Sequence, residues 1–204
     1  MFDLTFPQVL SRLIAATIVL TILGVSFAAA ARLLGDKGVG YEGRLKPNPI
    51  LHVDLFAIVS SVFGRVGWIK PLRIDPAECR GGRWAPALAA LAAAVVTLVA
   101  SKLALLLLPY VASYWPASSA GFVDWTIREI AQIAAWTLAF NVVPLPPFLA
   151  GYALQGVAPE AHAFLVKRHF LISIAITALV AVFHKSLPQT PFNALATLFL
   201  TGAM

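Results

Sequence analysis

The sequence predicts an all-α integral membrane protein, one membrane domain over residues 1–204, with about four transmembrane helices and one re-entrant or interfacial segment. Three observations predict it. Hydrophobic residues make up 60% of the chain and charged residues 12%, about half the share that a soluble domain carries. Several apolar runs approach or exceed the roughly 20 residues that one crossing needs. The basic residues gather in loops, nine of the fifteen Lys and Arg lying between Arg32 and Arg83. So few charges do not coat a surface in water. Hydrocarbon needs no such coat, provided each backbone group is bonded within a helix.

The first span covers residues 9–34. Its centre, 13–31, holds no charge, and Arg12 and Arg32 at its ends are placed to snorkel to the headgroups. Residues 1–8 lack a basic stretch and the apolar run is longer than a signal core, so the span is expected to be retained. Glycines and prolines break the helix over 35–49, which reads as a polar loop or short hairpin. The run 50–63 is short and contains His52 and Asp54, which suits a re-entrant or interfacial segment. Residues 65–83 are polar and basic. The clearest span is 85–108, with Lys102 inside it to snorkel or pair. Tyr110, Tyr114 and Trp115 mark 109–121 as an interfacial loop. A further span, 122–143, carries Asp124, Arg128 and Glu129 in its first turns, the first two spaced as a helical ion pair. Residues 149–164 read as a loop with a half-helix, 170–183 as a full or partial span, and 192–200 as a short apolar tail segment.

Both basic loops, 35–49 and 65–83, belong on the cytoplasmic side by the positive-inside rule. Residues 50–63 between them therefore do not cross, and the N-terminus is expected outside, in a bacterial inner membrane. The net charge of +6 is then a topological signal. Nucleic acid is not an expected partner, since no binding motif accompanies it. Cys79 is the only cysteine, which excludes an internal disulfide or a thiolate metal cluster. No His-Glu-x-x-His, Gly-x-Ser-x-Gly or phosphate loop occurs.

Polar residues at membrane depth are costly and mark candidate sites. His52 and Asp54 share a face only on an extended segment, and a metal would need a third ligand from His162, His169 or His184. The string from Asn141 to Gly151 has three prolines within four residues. Such backbone ends a helix and, at membrane depth, must line protein or a cavity.

That string, Asn-Val-Val-Pro-Leu-Pro-Pro-Phe-Leu-Ala-Gly, resembles the Asn-x-x-Pro-x-Pro-Pro-Leu-Asp-Gly motif of the site-2 proteases, intramembrane zinc metalloproteases. Gly43-Arg-Leu-Lys-Pro-Asn-Pro-Ile-Leu-His-Val-Asp54 resembles the family's Gly-Arg-Leu-Thr-x-Asn-Pro-x-x-His-x-Asp-Pro. Gly67-Trp-Ile-Lys-Pro-Leu72 resembles Gly-Trp-Ala-Lys-Pro-Val, and Leu34-Gly-Asp36 the Leu-Gly-Asp after the catalytic helix. The four strings keep the family's order and span most of the chain.

The departures fall on the chemistry. Counting back from Leu34-Gly-Asp36 at the family's spacing places Leu23-Gly-Val-Ser-Phe27 where His-Glu-x-x-His belongs. Ala150 stands for the aspartate of Leu-Asp-Gly, and an alanine-rich run ending near Thr97 replaces Gly-Pro-x-x-Asn. The resemblance thus implies a protein without catalytic residues, zinc or another cofactor, because zinc hydrolysis needs the metal to make the nucleophile. It implies that Asn48, Pro49, His52, Asp54, Trp68, Lys70, Asn141, Pro144 and Pro146 keep the fold or bind a partner or peptide. The expected role is an accessory, assembly or structural subunit of a larger membrane complex, with other integral membrane proteins as partners, a bioenergetic complex among the candidates. The alternatives are a metal-dependent protease with a relocated site at His52, Asp54 and one further histidine, and a regulator that holds protease substrates uncut.

Overall fold

The computed structural model describes residues 4–201. They form eleven α-helices and two 3-10 turns, with one isolated antiparallel bridge, Val53 to Ile69, as the described β structure.

Helix α1, Phe6–Leu34, starts at the Thr5 cap, where Gln8 Oε1 accepts from the Thr5 N–H at 2.8 Å. It stops at Gly35, whose φ of 122° suits glycine. Residues 35–49 form no hairpin. Asp36 Oδ1 accepts from Gly38 N–H at 2.7 Å and starts the short helix α2, Gly38–Tyr41, a local side-chain bond that favours a turn over a ladder. Helices α3, Pro49–His52, and α4, Leu55–Gly64, follow. The ten residues of α4 span about 15 Å, half of a ~30 Å hydrocarbon core.

After an extended run, a 3-10 turn at Gly82–Trp84 leads into α5, Ala85–Leu105. The expected loop 109–121 is instead mostly helical: α6 is Leu108–Tyr114 and α7 begins at Ala117 and ends at Phe140. Pro109 and Pro116 sit at the starts of these helices, where a missing N–H costs nothing. Helices α8, Gly151–Val157, and α9, Pro159–Lys167, occupy the mixed segment. Helix α10, His169–Phe183, a 3-10 turn at His184–Gln189, and α11, Phe192–Thr201, complete the chain.

Three stretches among the described residues are long and apolar enough to cross a bilayer: Phe6–Leu34, Gly82–Tyr114 and His169–Gln189. Helix α7 has the length, its 24 residues spanning about 36 Å, but it carries three charges, Asp124, Arg128 and Glu129. Helix α1 lies between α5 and α7, while α11 packs on α7 and α10 on α4. The α1–α5 contact uses small side chains, Ala28 and Ala31 with Ala85, Ala89 and Ala93, all fully buried. Without a hydrophobic drive between helices in lipid, such close approach is what holds them.

One charged residue behaves otherwise than expected. Arg12 does not snorkel. Its side chain is 12% exposed, faces Glu129 at 3.4 Å and donates to the Val62 carbonyl at 2.7 Å. Lys102 turns to the Leu200 carbonyl in the last turn of α11, where a cation meets unpaired carbonyls. Asp124 and Arg128 form the expected i, i+4 pair at 2.8 Å on an outer surface.

Candidate functional site

The motif strings converge on the middle of α1. An extended run, residues 66–75, passes beside it and is held almost atom by atom. Gly67 N–H donates to Thr137 Oγ1 at 3.0 Å, and the Gly67 carbonyl accepts from Asn141 Nδ2 at 3.0 Å. Lys70 N–H donates to the His52 carbonyl at 2.8 Å. The Tyr152 hydroxyl accepts from Leu72 N–H at 2.8 Å and donates to the Leu72 carbonyl at 3.1 Å, standing in for a neighbouring strand. Gln155 Nε2 caps the Ile74 carbonyl at 3.0 Å. Buried backbone requires such partners, and here side chains supply them.

Asn141 is the hub of the proline loop. Its Nδ2 also donates to Thr137 O at 2.7 Å, its Oδ1 accepts from Leu149 N–H at 2.8 Å, and its own carbonyl accepts from Ala150 N–H at 2.9 Å. Pro146 is buried and Pro144 exposed. Asn48 caps α3, its Oδ1 accepting from Ile50 N–H at 3.0 Å. Asp54 caps α4, accepting from Phe56 N–H at 2.8 Å and Ala57 N–H at 3.3 Å. Trp68 is fully buried, edge-on to Phe148. Lys70 Nζ donates to the Ile50 carbonyl at 2.7 Å.

Leu23 and Phe27 are both fully buried in one apolar cluster with Leu138, Leu149 and Tyr152. Phe27 meets the Tyr152 ring edge-on at 4.6 Å. Between them Gly24 faces His52. A Cβ on Gly24 would lie 2.5 Å from His52 Nδ1 and 2.6 Å from its Cβ, so the imidazole occupies the space a side chain there would need. His52 is 1% exposed, and its Nε2 donates to the Lys46 carbonyl at 3.0 Å. Burial holds it below the usual imidazole range; the bond to Lys46 opposes this, and Arg44 and Lys70 add to it. The Tyr152 phenol is pushed up to about 12, chiefly by burial.

His52 and Asp54 are thus committed to different partners. Among the described residues no group of three or more His, Cys, Asp and Glu is placed to hold a metal. Ala150 lines an apolar groove of about 420 Å³ between α5, the end of α7, α8 and α11. Counted forward from Asn141 without a gap, the aspartate position falls on Leu149; counted back from Gly151 it falls on Ala150. Both side chains are hydrocarbon. Thr97, at the end of the alanine-rich run, is buried and bonds back to Ala93 O at 2.8 Å.

The chain is 28% identical over 156 residues to a protein of Bacillus subtilis (strain 168) named "Putative zinc metalloprotease YwhC", an overlap of 74% of this chain and 71% of that relative. This likeness supports a site-2-protease-like relationship. No family model matches the chain, and no solved structure matches it. The chain is therefore a membrane protein with a relative named as a putative zinc metalloprotease.

Proposed function

We propose that this protein is a catalytically inactive site-2-protease-like membrane protein that serves as an accessory or assembly subunit of a larger membrane complex. One observation carries the reading: Gly24, at the position of the general base, is closed over by the His52 ring, and the flanking Leu23 and Phe27 are core residues. Zinc chemistry needs ligands and an open coordination position, and hydrocarbon packing supplies neither. The motif residues Asn141, Asp54, Trp68 and His52 hold backbone or fill the core, which suits a scaffold. Its partners on this reading are other integral membrane proteins. They would dock on the outer face of α5, where Leu88, Leu91, Val95, Val99 and Leu103 form one exposed stripe. On this reading the protein sits in a bacterial inner membrane with residues 35–49 and 73–83 in the cytoplasm, while Arg65, at the start of the second basic stretch, lies at the other end of α1 beside Arg12.

The test is gentle isolation of the full chain from its native membrane, with stoichiometric zinc analysis. The expected result is a co-purifying integral membrane partner in fixed ratio and less than one zinc per ten chains. A monodisperse monomer without a partner, or one zinc per chain with cleavage of a transmembrane substrate, overturns the reading.

A further inference from the structure

A second cavity, of about 430 Å³, lies away from the motif cluster, where the start of α1, the end of α4, the 3-10 turn after α10 and the start of α11 meet the flank of α7. Its polar lining is Arg12, Arg65, Gln132, His184, Lys185 and Asn193. Every one of these side chains can donate a hydrogen bond, and no carboxylate lines the wall among the described residues.

The charge behind the wall is out of balance. Glu129 is 3% exposed and takes two guanidinium groups: Arg65 through Nε and Nη2, both at 2.8 Å, and Arg12 at 3.4 Å. Among the described residues, two cations on one anion leave an excess of one positive charge in a poorly solvated place. Buried charge in proteins is paired, and an unpaired one is expensive. The fold also goes out of its way to aim Arg65. The residue ends α4 with φ 61°, in the left-handed region that non-glycine residues avoid. The preceding Gly64 is packed so tightly that a Cβ would lie 3.0 Å from Leu187 Cδ1 and closer still to Val180. The Arg65 side chain keeps 31% exposure, against 12% for Arg12.

We propose that this cavity binds a phosphate oxyanion, with Arg12 and Arg65 as the charged donors and Gln132 and Asn193 as neutral donors. Arg65 keeps its Nε–Nη2 edge on Glu129 and Arg12 its Nε and Nη1 on Glu129 and Val62, so Nη1 of Arg65 and Nη2 of Arg12 are the guanidinium donors left for charge-assisted bonds to phosphate oxygens. The site collects the ends of α1, α4 and α10, the level at which phosphodiester headgroups lie against a membrane protein. One chemistry thus has two sources, a phospholipid headgroup or free phosphate. The proposal is independent of the accessory-subunit reading, since it uses none of the same residues.

The experiment uses the full chain in a neutral detergent and follows its melting temperature against added phosphatidylglycerol and, separately, inorganic phosphate. Arg12→Gln leaves the bidentate Arg65–Glu129 pair in place and removes the excess charge. Asn193→Asp is isosteric and sets a negative charge in the cavity. The expected result is a saturable upward shift for the native chain, with the half-saturating concentration raised tenfold or more in both variants. A shift with phosphatidylglycerol alone assigns a lipid site, and a shift with phosphate, or competition by it, assigns a free-anion site. Overturning results are no shift with either probe, or a shift that survives in the variants. Where Arg12→Gln does not give folded protein, Asn193→Asp alone decides.

Discussion

Adding one carbon at Gly24 should unfold this protein more easily, although the same change inside most helices does the reverse. Glycine to alanine in a helix interior normally stabilises by about 0.5–1 kcal/mol. Here the new Cβ would meet His52 Nδ1 at 2.5 Å, Cβ at 2.6 Å and Cγ at 2.7 Å. A clash with a Cβ is not relieved by turning the ring, so the backbone of α3 must move. Overpacking of this kind costs about 1–3 kcal/mol. Moving the imidazole also weakens its bond to the Lys46 carbonyl, about 1 kcal/mol more. The net expectation for Gly24→Ala is a loss of about 1–3 kcal/mol. In a His52→Gly background, which removes the Cβ as well as the ring, the clash is gone, and the same substitution at Gly24 should gain about 0.5–1 kcal/mol. The assay is equilibrium unfolding of the four proteins in mixed micelles, read by tryptophan fluorescence, as a double-mutant cycle. The diagnostic is the change of sign between backgrounds. If Gly24→Ala is as stable as the native chain or better in both, His52 does not close this face of α1, and a carboxylate at position 24 would find room.

Other sites give further expectations. Asn141→Ala removes three side-chain bonds that join α7, residue 67 and Leu149, so it should cost about 3 kcal/mol, and limited proteolysis should then cut the loop 142–148 sooner. Tyr152→Phe strips both partners from Leu72 and should cost about 1–3 kcal/mol in the same unfolding assay. Stability should fall on acidification: His52 is held below its unfolded value of about 6.5, mainly by burial. As pH drops below that value, the unfolded chain takes up a proton that the folded chain refuses, so the loss begins there and ends once the folded His52 also titrates. His52→Asn should flatten that part of the profile, and an unchanged slope would remove His52 as its source.

Some of this was readable along the chain because it depends on local order. Membrane character follows from composition, and the end of α1 at Leu34 falls at the expected bound, whereas its start at Phe6 lies three residues before the expected residue 9. The shortness of α4 follows from the length of its apolar run. The motif strings also announced that residues 43–54, 67–72 and 141–151 matter together. Other features were hidden for a physical reason. Residues 109–121 read as an interfacial loop from Tyr110, Tyr114 and Trp115, yet Pro109 and Pro116 stand at helix starts, where proline is a helix signal. Tyr152 and Gln155 carried no sign of their partners, because the bonds they make go to backbone about eighty positions away. Glu129 was visible as a carboxylate in an apolar helix, but Arg12 and Arg65 lie 117 and 64 positions from it.

The sequence by itself determined the membrane character of this chain and where its motif strings fall. Solvent preference and residue identity are properties of single positions and short windows, so a linear reading reaches them. Only the tertiary structure decided that His52 covers Gly24, that Asn141 and Tyr152 hold the extended run, and that two arginines share Glu129. Those outcomes depend on which atoms come within a few ångströms after the helices pack, and separation along the chain carries no record of that distance.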